Sequence, residues 1–197
     1  MQALVILDRT RGSSDSLRPF YLSANWLWQG PHVAGAEVRR SFIMHFETAP
    51  TAAGNRLAAS VGTQTSELIT MLPTNPVFRV INEDVLGDEQ SGQYRLELDS
   101  IGSTDSYFLN IVTGYDSGEP AMAAALVDNG SSWTLTLTHP LRGSASIVFN
   151  KGMSSVGGSV RIGDGVTEPL RETVQGISVT PNGPVWEAGY LFRDGFE

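Results

Sequence analysis

The chain contains no cysteine and only one lysine, Lys151, among its 197 residues. The first absence excludes disulfide scaffolds, zinc ribbons and thiol catalysis together. The second leaves arginine to carry almost all positive charge, and the formal net charge is −8. A balance so acidic lacks the basic face that phosphate neutralisation needs, so nucleic acid is not an expected partner. No stretch approaches the roughly 18 uninterrupted apolar residues of a membrane helix, so no membrane span is expected. Also missing are a Gly-x-Ser-x-Gly elbow, a His-Glu-x-x-His pair and a glycine-rich loop opening a helix. Residues 152–158 are rich in glycine and serine, but no helical pattern follows them, and they read as a loop.

What is present points to one sizeable core. Apolar residues make up 41% and charged residues 17%, a composition unlike that of disordered chains or coiled coils. Charge is unevenly spread. Residues 1–56 hold six arginines against four acids, whereas the remainder carries a net −10. An arginine-bearing segment on an acidic body can meet a polyanion locally, because guanidinium fits carboxylate and sulfate bidentately. Ordinary solvated surface is the plainer reading of the same residues.

The hydropathy pattern is strand after strand. Ala3-Leu4-Val5-Ile6-Leu7 is a continuous apolar run closed by Asp8-Arg9, the pattern of a strand buried on both faces. It carries neither a charged leader nor a small-residue cleavage site, so it does not read as a signal peptide. A buried strand so near Met1 suggests a β-domain shortened at its N-terminus. Further strands are expected at 40–46, 56–61, 67–72, 77–81, 94–99, 107–112, 121–127, 133–138, 145–149 and 159–162, with turn residues between them. Residues 121–126 favour helix by propensity alone, but strands flank them on both sides. The expected fold is all-β: a two-layer antiparallel β-sandwich of roughly 11–13 strands with an irregular C-terminal tail. The sandwich is placed at 1–165. Residues 166–197 read as a linker, one last strand near 174–179 and a terminal tag.

Three histidines are available for chemistry. His139 precedes Pro140 at a strand end and reads as a surface or turn-capping residue. His32 follows Gly30-Pro31 in a loop. His45 lies inside an apolar strand between Met44 and Phe46, where its ring nitrogens need a partner: another core group, a carboxylate or a metal. Asp8, ending a buried strand, needs an arginine, backbone donors or a metal, and Arg9 should point to the opposite face. On neighbouring strands, Asp8 and His45 would supply two of a zinc ion's usual four ligands.

Several phrases in order resemble the C-terminal β-sandwich region of heparinase II/III-like polysaccharide lyases. They are Leu4-Val5-Ile6-Leu7-Asp8-Arg9, Arg40-Ser41-Phe42-Ile43-Met44-His45, Gly54-Asn55-Arg56-Leu57, Glu67-Leu68-Ile69-Thr70-Met71-Leu72-Pro73, Tyr94-Arg95-Leu96-Glu97-Leu98 and Tyr107-Phe108-Leu109-Asn110-Ile111-Val112. Each phrase is short and apolar; their order carries the likeness, over about residues 3–162. The resemblance implies a lyase that cleaves uronic-acid-containing polysaccharides by β-elimination, in which a base takes the C5 proton and the leaving oxygen is protonated. It also implies that the catalytic tyrosine and most substrate contacts belong to a preceding α-helical toroid, so this chain alone is expected to be inactive. Some members hold a structural zinc through two histidines and an aspartate. Asp8 and His45 match the later two of these positions, an incomplete set. The partner implied is an anionic polysaccharide; the charge asymmetry alone makes Arg9, Arg11, Arg39 and Arg40 its candidate contacts. The last eight residues resemble a C-terminal tag of exported Gram-negative proteins, implying a secreted or periplasmic location.

The rival is a stand-alone carbohydrate-binding or adhesive sandwich of an exported protein. Tyr21, Trp26 and Trp28 cluster in one short segment, and aromatic faces are what sugar rings stack on. Burial against the sheet is the alternative use of the same side chains.

Overall fold

The structure is a computed structural model that describes residues 3–11, 39–83, 92–101, 105–155, 157–170, 177–180 and 183–186. Among these residues every regular element is a strand, fifteen in number, and every pairing is antiparallel. The all-β expectation therefore holds, with short strands adding to those marked by alternation. No described helix is long and apolar enough to cross a membrane. The chain divides into two compact units, Gln2–Glu119 and Pro120–Glu197.

The first unit holds β1 (Ala3–Arg11), β2 (Arg39–Phe46), β3 (Thr51–Ala53), β4 (Arg56–Val61), β5 (Gln64–Leu72), β6 (Phe78–Asn82), β7 (Tyr94–Ile101) and β8 (Asp105–Asp116). They form a five-stranded sheet in the order β1-β8-β5-β4-β3 and a three-stranded sheet in the order β2-β7-β6. Period-two alternation decides how these sheets meet. Phe42, Met44 and Phe46 share one face of β2 and stand opposite Leu98, Leu96 and Tyr94 of β7. That face packs on Leu57, Ala59, Leu68 and Val112 of the larger sheet. The contact makes two layers with an apolar seam.

Strands β5 and β8 are buried over their middle lengths on both faces, since Leu68 and Ile69 of β5, and Phe108 and Leu109 of β8, are all inaccessible. A continuous apolar run is how such a strand reads in sequence. The first run behaves otherwise. Among the described residues β1 pairs only with β8, at the end of the sheet, and Leu4 is 55% exposed. The expected burial on both faces is thus not found there. An edge position leaves the outer half of an apolar strand uncovered.

The second unit holds β9 (Ala123–Asp128), β10 (Ser132–His139), β11 (Gly143–Asn150), β12 (Gly158–Ile162), β13 (Glu168–Leu170), β14 (Ile177–Thr180) and β15 (Gly183–Trp186). The first five make a sheet in the order β13-β12-β11-β10-β9, and β14 pairs with β15. Trp133, Leu135, Leu137 and Ala145 are buried on one face of the larger sheet. The alanine-rich stretch is β9 because its register with β10 offers ladder hydrogen bonds that outweigh a helix preference worth tenths of a kcal/mol per residue. His139 is buried at the β10–β11 turn, where its Nδ1 accepts the Leu141 N–H at 3.2 Å. It caps the turn from inside rather than from the surface. Residues 152–155 and Gly157 form a loop, as expected.

Candidate functional site

The three-stranded sheet turns its apolar side inward, so its alternate residues gather on the other face. Register places His45 opposite Arg95, and Arg95 opposite Ile81; one step along, Ile43 stands opposite Glu97, and Glu97 opposite Arg79. Glu83, just beyond β6, completes a charged network. His45 Nε2 lies 3.1 Å from Glu83 Oε2, Arg95 Nε lies 2.6 Å from Glu83 Oε1, and Arg95 Nη1 lies 3.1 Å from Glu97 Oε1. Arg79 pairs with the remaining oxygen of Glu97. Glu97 is the most enclosed member, with its side chain 7% exposed. Two carboxylates and two guanidiniums balance, so the network is neutral with His45 unprotonated. Proton uptake by His45 would leave a net positive patch.

A second polar group sits on the larger sheet, on the face away from the seam. Arg56 Nη1 donates to Glu67 Oε1 at 2.8 Å, while buried Glu67 Oε2 has no hydrogen-bond partner among the described residues. Tyr115 is a diagonal neighbour of Glu67 across the β5–β8 pairing. Burial, then the Glu67 charge, push its hydroxyl above the ordinary value of 10.0, with Arg56 opposing. On the seam side, Thr70 Oγ1 donates to Asn110 Oδ1 at 2.8 Å, joining β5 to β8 beneath the apolar layer.

The expected site residues fall in different places. Asp8 stands opposite Phe108 on β1, with burial raising its carboxyl above the ordinary 3.8. His45 belongs to the other sheet and faces away from the seam, its Nε2 engaged by Glu83. The neighbouring-strand arrangement envisaged for zinc is therefore not formed. These two residues do not fit a shared site, and no group of three or more metal-ligating side chains occurs among the described residues. Arg9 is on the face opposite Asp8, half-buried and already engaged in an interaction of its own. Arg39 and Arg40 begin β2, and only their backbone is described. His32, Tyr21, Trp26 and Trp28, like the terminal tag at 190–197, lie outside the described residues.

Sequence reading missed Arg79, Glu83, Arg95 and Glu97 as a group. The alternation at 94–99 put Arg95 and Glu97 on one face, but their partners depend on cross-strand register, which alternation leaves open. Compared with family models, curated proteins and solved structures, the chain matches none.

Proposed function

We propose that the chain is the C-terminal β-sandwich portion of a polysaccharide lyase acting by β-elimination on uronic-acid-containing polysaccharides. In this reading it walls the substrate cleft beside a helical catalytic domain and supplies no catalytic base. The observation that carries the reading is the order of the resembling phrases, all of which fall within one two-layer unit, on or beside β1, β2, β4, β5, β7 and β8. Residues in them have evident work in that unit: Leu57, Leu68 and Leu96 fill the seam, and Asn110 ties two strands.

The test is to mix the full chain with polygalacturonate, alginate and heparin, following binding by calorimetry and elimination by the ultraviolet absorbance of the unsaturated product. Binding to at least one polyuronate without product is expected. Tight binding to neutral glycans alone, lost in Trp26→Ala and Trp28→Ala, would instead establish a stand-alone carbohydrate-binding module.

A further inference from the structure

The connection between β9 and β10 holds the pair Asn129-Gly130, both exposed. An asparagine side chain is open to attack on its amide carbon by the next backbone nitrogen, and glycine is the neighbour that shields that nitrogen least, having no Cβ. The flank of Gly130 is open in the fold as well, since a Cβ built there would meet nothing within 4 Å. Water and hydroxide therefore reach this peptide bond freely.

The other described asparagines lack that combination. Asn75 precedes Pro76, whose nitrogen carries no proton to give up, and Asn110 is buried ahead of Ile111. Asn55, Asn82 and Asn150 precede Arg56, Glu83 and Lys151, whose side chains crowd the attacking nitrogen. Asn182, also followed by glycine, lies outside the described residues. Two hydrogen bonds hold the Asn129 turn in its unreacted form. Asn129 Nδ2 donates to Thr134 Oγ1 at 2.9 Å, which holds the carboxamide towards β10, and the Gly130 N–H donates to Asp128 Oδ1 at 2.8 Å. Both bonds are exposed, and water competes for them, so they slow ring closure without preventing it.

We infer that Asn129 is a site of spontaneous deamidation, with the Thr134 hydrogen bond as its brake. The Gly130 nitrogen gives its proton to solvent hydroxide and bonds to Asn129 Cγ. The Cγ–Nδ2 bond then breaks, and the departing amide group takes a proton from water and leaves as ammonia, which regenerates hydroxide. Water opens the resulting cyclic imide at either carbonyl, leaving aspartate or isoaspartate. Either product sets a new carboxylate beside Asp128, the partner of the only lysine in the chain, Lys151. Isoaspartate also routes the main chain through Cγ and lengthens the link between β9 and β10 by one carbon.

The test is to hold the full chain in mildly alkaline buffer, following each asparagine by peptide mapping with mass spectrometry and isoaspartate by enzymatic carboxyl methylation. In wild type, conversion at Asn129 should run about tenfold or more faster than at Asn82 or Asn150, and should quicken as pH rises. Gly130→Ala should slow it about tenfold, and Thr134→Val should speed it about fivefold, the rate equivalent of one lost hydrogen bond. Circular dichroism should be unchanged in both variants. Conversion at Asn129 no faster than at Asn82 and Asn150, or a Gly130→Ala rate equal to that of wild type, would overturn the site. A Thr134→Val rate equal to that of wild type would overturn the brake.

Discussion

Glu97 shows how much one side chain can organise when its strand position encloses it. It is ion-paired with Arg79 and Arg95 together, and neutralising it would leave both guanidiniums facing a carbonyl and an amide. Removing one partner of an enclosed charge pair is costly, although the partial exposure of both arginines moderates it. Glu97→Gln should therefore lower stability by about 2–3 kcal/mol in urea unfolding at constant m-value. A loss below about 0.5 kcal/mol would class the network with weak surface pairs. Asp8 acts in the opposite sense. Burial raises its carboxyl above 3.8, so the folded state holds this proton more tightly than the unfolded chain does. Its ionisation costs stability as pH rises from 3.8 through the raised folded value, and the penalty is complete above it. Asp8→Asn should raise the melting temperature at pH 7, with the gain shrinking as pH is lowered towards 3.8. A gain independent of pH would assign the effect to something other than proton linkage.

At the scale of elements, the second unit depends on two glycines for different reasons. Gly143 follows the β10–β11 turn with φ at 82°, and a Cβ there meets nothing within 4 Å. Gly143→Ala should cost only left-handed backbone strain, about 1–2 kcal/mol. Gly158 opens β12 with φ at 143°, and a Cβ would run into the Val148 carbonyl oxygen on the paired strand. Gly158→Ala must push β12 from β11 and should cost far more than the change at Gly143. Thermal melts of the two variants compare them directly, and equal losses would show that β12 can shift at little cost. The Lys151 ammonium, 4.7 Å over the Trp133 ring and paired with Asp128, closes the Gly158 end of this sheet, away from the Gly143 turn. Hydrogen bonds from Lys151, then from the Gly130 N–H, hold the Asp128 carboxyl below its ordinary range.

For the whole molecule, the division into two units means that each carries its own buried residues. Leu96 belongs to the seam of the first and Leu135 to the buried face of the second, both wholly inaccessible. Either leucine changed to alanine should cost about 2–5 kcal/mol in its own unit. Calorimetric scans should then show Leu96→Ala and Leu135→Ala shifting different transitions. A single transition shifted equally by both would mean that the units unfold as one body.

Strand identity is largely legible in the order of residues alone. Alternation in Trp133-Thr134-Leu135-Thr136-Leu137-Thr138 reports a half-buried strand because side chains alternate faces whatever the partner, and β10 is that strand. The same rule puts Asp8 and Arg9 on opposite faces of β1. Periodicity is a local property, however, and three outcomes are not local. Whether Leu4 is covered depends on β1 standing at a sheet end; whether Asp8 meets His45 depends on which sheet each strand joins. Whether Arg161 stands in line with Ser146 and Thr136 depends on register across three strands. A one-residue slip would turn the apolar residues outward and is disfavoured by their burial, but a two-residue slip keeps every side chain on its face while changing its partners, and nothing in the order of apolar and polar residues along a single strand excludes that. The primary structure thus determined which segments extend and which of their residues share a side. Only the packed sheets decided who stands opposite whom, because pairing is selected by the burial of whole faces at once.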